Sequence, residues 1–170
     1  MLVVLAACLA VALACAVVRA GGPRSAALPV TPAVPAAFPA EPQARAVLRA
    51  WDRRRAAAWA EGSVTRLRSL YVDGSRAGSA DVRLLRGYRE RGWTVRHLRM
   101  QVLGFRVLGR AAGRWRLEVS DRVATGAVAV RSSPVDGRRV VLPRDGPSTR
   151  VVTLVRGRDG TWRVASVLPR

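Results

Sequence analysis

Cysteine and histidine are almost absent from this sequence. The two cysteines, Cys8 and Cys15, both lie in an apolar N-terminal segment, and His97 is the single histidine. The rest of the chain therefore has no thiol for a disulfide and no histidine cluster for a zinc site. Carboxylates remain as ligands for a hard cation, and none has the spacing of a calcium loop. We expect no bound metal and no cofactor.

Lysine, isoleucine and asparagine are missing altogether. Their codons all begin with two A/T bases, so the gap indicates a GC-rich genome of the actinobacterial type. The 30 basic residues are consequently all arginines, and the formal net charge is +19. A field of that size attracts anionic partners such as lipid headgroups or wall polymers. The arginines are spread along the chain without interleaved aromatic residues, which favours a solvated basic surface and no specific nucleic-acid partner.

Residues 1–18 form an apolar run without any charged residue. The length suits a short spanning helix or a long signal-peptide core, and Ala20 closes a tolerable cleavage site. No basic residue precedes the run, so an uncleaved anchor and a start codon placed too late both stay open. Lipidation of Cys8 or Cys15 is a minor alternative. We predict that residues 1–20 are a signal peptide or membrane anchor and that residues 1–18 contact the membrane.

Residues 21–42 are rich in proline and alanine, and such a sequence stays extended because it buries no core. We predict a spacer there, and a natural use of a spacer is to hold a domain away from a membrane. The domain is therefore expected on the extracytoplasmic side of the cell membrane, or secreted. Arg19 and Arg24 follow the apolar run and favour the opposite orientation by the positive-inside rule.

Apolar residues recur at three- and four-residue spacing from Gln43 onward, which predicts helices. We expect one folded domain over residues 43–170. Its first helix runs to about Gly62, and Ser63 is placed to cap a short second helix that ends near Tyr71.

A third helix is predicted where Ser79 stands before Asp81, because an N-terminal turn favours such residues. Gly92 ends it in the left-handed conformation. The positions predicted to form its buried stripe are Val82, Leu84, Leu85 and Tyr88.

After Trp93, apolar and polar residues alternate, which predicts strands. Residues 95–109 and 114–125 form a hairpin whose three-residue loop ends in Gly113. The register pairs Val107 with Leu117, Phe105 with Val119 and Leu103 with Asp121 on one face, and Arg106 with Glu118 on the other. Apolar pairs and an ion pair separate cleanly in this register, which supports it.

Shorter strands are predicted over residues 127–131 and 138–142, followed by a second hairpin of residues 149–156 and 161–168. In that hairpin Val151 and Val155 share a face with Trp162 and Val164. The predicted fold class is α+β, with three N-terminal helices packed on a curved, cone-like antiparallel sheet.

This order of elements resembles the nuclear-transport-factor-two-like superfamily, also called SnoaL-like or ketosteroid-isomerase-like. The resemblance covers residues 43–168, and its most suggestive stretches are AVLRAW (46–51), LY (70–71) and DGTWRVASV (159–167). It implies a cone whose sheet wraps a helix-covered pocket. Members include isomerases, cyclases and dehydratases, but also domains that only bind, dimerise or support a neighbour. The tyrosine and paired carboxylates of the isomerases have no counterpart here, so the resemblance implies a fold rather than an activity.

One polar constellation is expected on the concave face, towards one end of the first hairpin: His97, Arg99, Gln101 and Asp121. Asp121 alternates with apolar residues along its strand, so we expect it to be mostly buried. A buried carboxylate is either paired with a cation or has a raised pKa, as a general base requires. We favour the ion pair, with Arg99, Arg122 or an arginine of the last strands, because no second acid or oxyanion donor is visible.

Aromatic residues of the helices are the remaining candidates for ligand binding. Trp51, Tyr71 and Tyr88, with Trp59, are placed to line an apolar cavity, although aromatic residues at helical spacing are more often plain core. The ligand-binding candidates are thus Trp51, Tyr71, Tyr88, His97, Arg99, Gln101 and Asp121. No catalytic residue is assigned beyond the candidate Asp121.

Three functions remain open at this point. The first is a non-catalytic domain that binds a small apolar ligand or a protein, including a second copy of itself through the sheet. The second is an isomerase or hydro-lyase in which Asp121 moves a proton. The third is an arginine-rich binder of cell-surface polyanions.

Overall fold

The computed structural model of the chain describes residues 40–131, 137–143 and 145–170. The predicted signal peptide or anchor, residues 1–20, lies outside these residues, as does the predicted spacer up to residue 39. Both stay predictions. Within the described ranges, no helix is both long enough and apolar enough to cross a bilayer.

Three helices open the described chain: α1 (Ala40–Ala60), α2 (Val64–Arg68) and α3 (Arg76–Glu90). The first begins before Gln43, inside the predicted spacer. Pro42 is compatible with this start because the N–H groups of a helix's first turn have no partner within the helix.

Serine side chains cap the two later helices. Ser63 accepts a hydrogen bond from the backbone N–H of Arg66, as the sequence predicts. The cap predicted at Ser79 is wrong, because Ser75 accepts from the N–H of Gly78 at 3.3 Å and starts α3 earlier. Asp81 consequently lies in the body of the helix rather than in its first turn.

Seven strands follow: β1 (Trp93–Arg96), β2 (Met100–Ala111), β3 (Arg114–Val123), β4 (Val128–Arg131), β5 (Arg139–Val141), β6 (Ser148–Arg156) and β7 (Trp162–Pro169). They form two sheets, in the orders β1-β4-β5 and β2-β3-β6-β7. All of these strand pairs are antiparallel. Helices α1 and α3 pack on β1, while α1 also contacts β2 and α3 contacts β7. The predicted α+β class is confirmed.

The first hairpin confirms most of the predicted register. Val107 pairs with Leu117, and Phe105 pairs with Val119. The turn has two residues rather than three, since Ala111 pairs with Arg114, and a bulge at Leu108 restores the predicted register beyond it. Gly113 has φ +66, as its turn position requires.

A second bulge makes the predicted pairing of Leu103 with Asp121 wrong. The register shifts between Val102 and Gly104, so Val102 is the residue opposite Asp121. Leu103 is the extra residue of the bulge and is 48% exposed. A bulge bends its strand and re-aims the side chains beyond it, and here it contributes to the curvature of the sheet.

Two further predictions about side-chain partners are wrong. Glu118 lies opposite Arg106 in the register but forms its ion pair with Arg170, the residue that follows β7. In the second hairpin Arg156 pairs with Trp162, so the turn has five residues rather than four, and Leu154 pairs with Val164. An extra residue at Ala165 then pairs Val152 with Val167. Val152 and Leu154 therefore face the core in place of Val151 and Val155.

Leu70 and Tyr71 connect the helices to the last strand. The second helix ends at Arg68 rather than near Tyr71, and the backbone N–H of Val164 donates to the carbonyl of Leu70 at 3.0 Å. The same carbonyl accepts from the indole N–H of Trp51 at 2.9 Å. Trp51 is thereby fixed in the core, where its ring meets that of Tyr71 edge to face.

The buried stripe of α3 differs from the predicted one at Leu84. Val82 and Leu85 are buried, whereas Leu84 is 53% exposed. Gly78 and Asp81 complete the buried face at helical spacing. The helix thus presents a small residue and a carboxylate to the core where a fully apolar stripe was expected.

Replacement of Gly78 by alanine is expected to lower the free energy of unfolding by roughly 1–3 kcal/mol, because it overpacks the core. A Cβ at this position would lie 2.6 Å from Cγ of Tyr71, a side chain that Trp51 and Asp81 hold in place. Urea denaturation of Gly78→Ala measures the loss.

Gly87→Ala in the same helix is the matched control. Its Cβ would meet only the end of the flexible Arg91 side chain, at 3.4 Å. We expect a gain of about 0.5–1 kcal/mol from the higher helix propensity of alanine. Equal effects of the two substitutions would contradict the close packing of Tyr71 on α3.

Candidate functional site

An open cavity of about 520 Å³ lies between the helices and the inner face of the strands. Aromatic and aliphatic side chains form much of its wall, among them Trp51, Tyr88, Leu98, Val102 and Val152. The wall combines α1, α3, β2 and β6, so residues from distant parts of the sequence meet there. Leu84 also lines the cavity despite its exposure, which places it at the opening.

The structure brings together four of the seven predicted ligand-binding residues. Trp51, Tyr71, Tyr88 and Asp121 line the cavity. The other three do not, and the prediction that they share a face with Asp121 is wrong: His97, Arg99 and Gln101 are exposed.

Two local features turn these three residues away from the cavity. The bulge at Leu103 reverses the side-chain alternation of β2 between Phe105 and Gln101, whose side chain accepts instead from Arg122 at 2.9 Å. His97 has φ +58 in the link from β1 to β2, which interrupts the alternation a second time.

Asp121 is buried and paired. Its carboxylate forms an ion pair with Arg150 of β6, and the side chain is 12% exposed. The interpretation favoured from the sequence was an ion pair with Arg99, Arg122 or an arginine of the last strands, and the third of these partners is the one observed. Asp121 therefore lines the cavity as part of a salt bridge.

Asp52 is the cavity carboxylate that the sequence analysis missed. It lies on α1 next to Trp51, lines the cavity, and accepts one hydrogen bond, from the backbone N–H of Met100 at 3.2 Å. Among the described residues no cation forms an ion pair with it. Burial raises the pKa of Asp52, and the nearby charge of Asp121 adds to this, while the Met100 N–H and Arg55 oppose it.

A second carboxylate that the sequence analysis missed, Asp81 of α3, accepts hydrogen bonds in the helical wall of the cavity. Arg55 donates to both of its oxygens at 2.7 Å, and the side chain of Asp81 is only 6% exposed. Its oxygens also accept from Tyr71 Oη at 2.7 Å and from Trp59 Nε1 at 3.2 Å. The carboxylate is thus fully bonded, and it joins α1, α3 and the segment between α2 and α3.

This network changes the acid–base properties of its members. Burial alone would lower the pKa of Arg55, but the hydrogen bonds and charge of Asp81 outweigh it and raise that pKa. Burial, with the negative charge of Asp81, also raises the pKa of Tyr71. Both side chains therefore keep their protons at neutral pH, which suits fixed hydrogen-bond donors.

A signal for both missed residues exists in the sequence. Asp52 and Arg55 lie on the same helical face as Leu48 and Trp59, at spacings of three and four residues. Asp81 likewise continues the stripe of Val82 and Leu85. Carboxylates on an apolar helix face need partners, so the periodicity of α1 and α3 could have flagged them.

No protein-family model and no curated protein matches the sequence. Among solved structures, the chain is similar to a protein from Catenulispora acidiphila, with 20% identity over 76% of this chain and 91% of that one, at a TM-score of 0.49. A second structure from Catenulispora acidiphila, a complex with S-DNPA, has 19% identity over 75% and 92% of the two chains, at a TM-score of 0.47. Aln2 from a Streptomyces species has 18% identity over 75% and 89%, at a TM-score of 0.48.

The architecture itself, three helices packed on antiparallel strands around a cavity, is the one that the superfamily resemblance implies.

Substitution of Asp52 and substitution of Asp121 are expected to change stability in opposite directions. The raised pKa of Asp52 means that ionisation of this carboxyl opposes folding. Its contribution to the free energy of unfolding is therefore full in acid and is lost as the pH rises through the raised pKa. Asp52→Asn should therefore melt at a higher temperature than wild type at pH 7 and at the same temperature below about pH 4.

Asp121→Asn serves as the matched variant. It removes the counter-charge of Arg150 and should lower the free energy of unfolding at pH 7 by about 1.5–3 kcal/mol, as loss of a charged hydrogen bond does. Thermal melting of both variants and wild type across acid and neutral pH measures the contrast. A destabilised Asp52→Asn at pH 7 would show that Asp52 has a cationic partner.

Proposed function

We propose that the domain binds a small, largely apolar molecule in the cavity between α1, α3 and the sheet. The observation that carries the proposal is the cavity itself, about 520 Å³ in volume and walled by Trp51, Tyr88 and aliphatic side chains. Small-molecule sites usually have volumes of about 300–1,000 Å³, with mostly apolar walls and a few placed polar groups.

The polar groups of the cavity support binding more directly than catalysis. Asp81 is fully bonded to Arg55, Trp59 and Tyr71, and Asp121 is paired with Arg150. Fixed, satisfied polar groups orient a ligand without reacting with it.

Val102→Phe is expected to weaken binding of a neutral apolar fluorophore, N-phenyl-1-naphthylamine, at least about tenfold, a change of about 1.4 kcal/mol. Val102 lines the cavity from β2, so the added ring occupies the space of the ligand. Fluorescence titration of the purified protein gives the dissociation constant.

Val107→Phe is the matched control, because Val107 lies on the same strand and packs on the core but is not among the residues that line the cavity. Both variants must first show cooperative melting, since overpacking destabilises by about 1–3 kcal/mol. Equal weakening by the two substitutions, or no binding by wild type, would contradict the proposal.

A second candidate function is proton transfer within the same cavity, and Asp52 is the observation that favours it. The isomerase or hydro-lyase hypothesis named Asp121, but the carboxylate of Asp121 forms an ion pair with Arg150. Asp52 lines the cavity and has a raised pKa, and within residues 40–131, 137–143 and 145–170 its one hydrogen-bond partner is the N–H of Met100. A carboxyl in this state suits a general base.

Deuterium exchange next to the carbonyl of 2-tetralone, a small bicyclic ketone, tests this second function. NMR in deuterated buffer should show faster exchange with wild type than with Asp52→Asn, by about 10²-fold or more. Asp145→Asn is the control, since Asp145 is an exposed carboxylate that also lines the cavity. Identical rates for all three proteins and for buffer would exclude catalysis of this exchange.

We further propose that the domain works on the extracytoplasmic side of the cell membrane or after secretion. The support is the apolar sequence of residues 1–18 and the proline-rich sequence of residues 21–42. Protease digestion of intact cells tests this placement, since a cytoplasmic domain would survive the digestion.

A further inference from the structure

A second concavity, of about 260 Å³, lies on the side of α3 that faces away from the apolar cavity. It is bounded by the end of α2, the segment from Val72 to Ser75, and the side of α3 that carries Ser79, Arg83 and Arg86. Three arginines line it: Arg68, Arg83 and Arg86. Tyr71 lines both spaces and separates them.

The three arginine side chains have no partner within the described part of the chain. None of their guanidinium groups makes a hydrogen bond, an ion pair or an aromatic contact there, whereas Arg55, Arg150 and Arg163 each pair with an aspartate. One carboxylate, Asp73, also lines the concavity, and no ion pair joins it to an arginine. The concavity therefore holds three positive charges against one negative charge.

Like charges gathered around one space repel one another unless an anion enters it. Arginine is suited to such an anion, because its planar guanidinium donates to two oxygens of a phosphate at once. The hydroxyl group of Ser79, which also lines the space, provides another donor.

We propose that this concavity binds a phosphate group through Arg68, Arg83 and Arg86, at a site separate from the apolar cavity. The site does not depend on the proposed apolar ligand, because α3 presents Arg83 and Arg86 on one side and Leu84 and Tyr88 on the other. Three of the arginines in this arginine-rich chain would thus act together at one site. The phosphate belongs either to a soluble phosphorylated molecule or to a lipid headgroup.

Isothermal titration of the full chain with inorganic phosphate at low ionic strength tests the site. We expect saturable binding by wild type and a dissociation constant raised at least about tenfold in the double variant Arg83→Gln, Arg86→Gln. Both residues are exposed, so thermal melting should show an unchanged fold. Asp73→Asn should tighten binding, because it removes the one negative charge in the concavity.

A control with the same loss of charge is Arg110→Gln, Arg158→Gln, which changes two exposed arginines outside the concavity. It should leave phosphate binding within about twofold of wild type, a difference of about 0.4 kcal/mol. If it weakens binding as much as the first double variant does, only net charge matters and the site is overturned.

Vesicles distinguish the source of the phosphate. Wild type and the two double variants are sedimented with phosphatidylcholine vesicles and with vesicles that also contain phosphatidylglycerol. Extra binding to phosphatidylglycerol that only the Arg83→Gln, Arg86→Gln protein loses supports the site with a lipid headgroup as its ligand. Binding of inorganic phosphate without this difference supports the site with a soluble ligand. Absence of both overturns the proposal.

Discussion

The packing of the helices in this domain depends on the hydrogen bonds that the Asp81 carboxylate accepts. It accepts hydrogen bonds from Arg55, Trp59 and Tyr71, and so ties α1, α3 and the chain between α2 and α3 to one point. A buried carboxylate is stable only when its charge is matched and its oxygens are bonded, and here both conditions hold. Tyr71 in turn contacts two further elements: its ring packs on that of Trp51, and its backbone forms a β-bridge with Val164 of the last strand.

The cavity follows from this constraint. Because Arg55 and Asp81 are held on the helices and Arg150 and Asp121 on the sheet, each wall has its own internal ion pair. Because each of these charges has its counter-ion in the same wall, no ion pair has to form across the cavity, and the two walls can stay apart. Asp52 is the exception: its carboxyl accepts a hydrogen bond from the N–H of Met100, and burial raises its pKa.

Helix α3 separates two environments of different chemistry. Its inner side presents Asp81, Leu84 and Tyr88 to the apolar cavity, and its outer side presents Arg83 and Arg86 to the basic concavity. Leu84 is exposed because it stands at the opening of the cavity rather than in the core. The two proposed ligands, an apolar molecule and a phosphate group, would therefore contact opposite sides of the same helix.

Local interactions let the sequence by itself determine much of this protein. The cap at Ser63, the turn at Gly113, the pairing of Val107 with Leu117 and the α+β class all depend on neighbours along the chain or on strand alternation. The alternation along β3 also predicted that Asp121 is buried, and the lack of a second acid favoured its pairing with an arginine. The tertiary structure decided the bulge at Leu103, the exposure of His97 and Gln101, and the partners of Asp52 and Asp81. These depend on contacts between residues far apart in sequence, whose distances no periodicity encodes, so the composition of the site was decided only when the helices met the sheet.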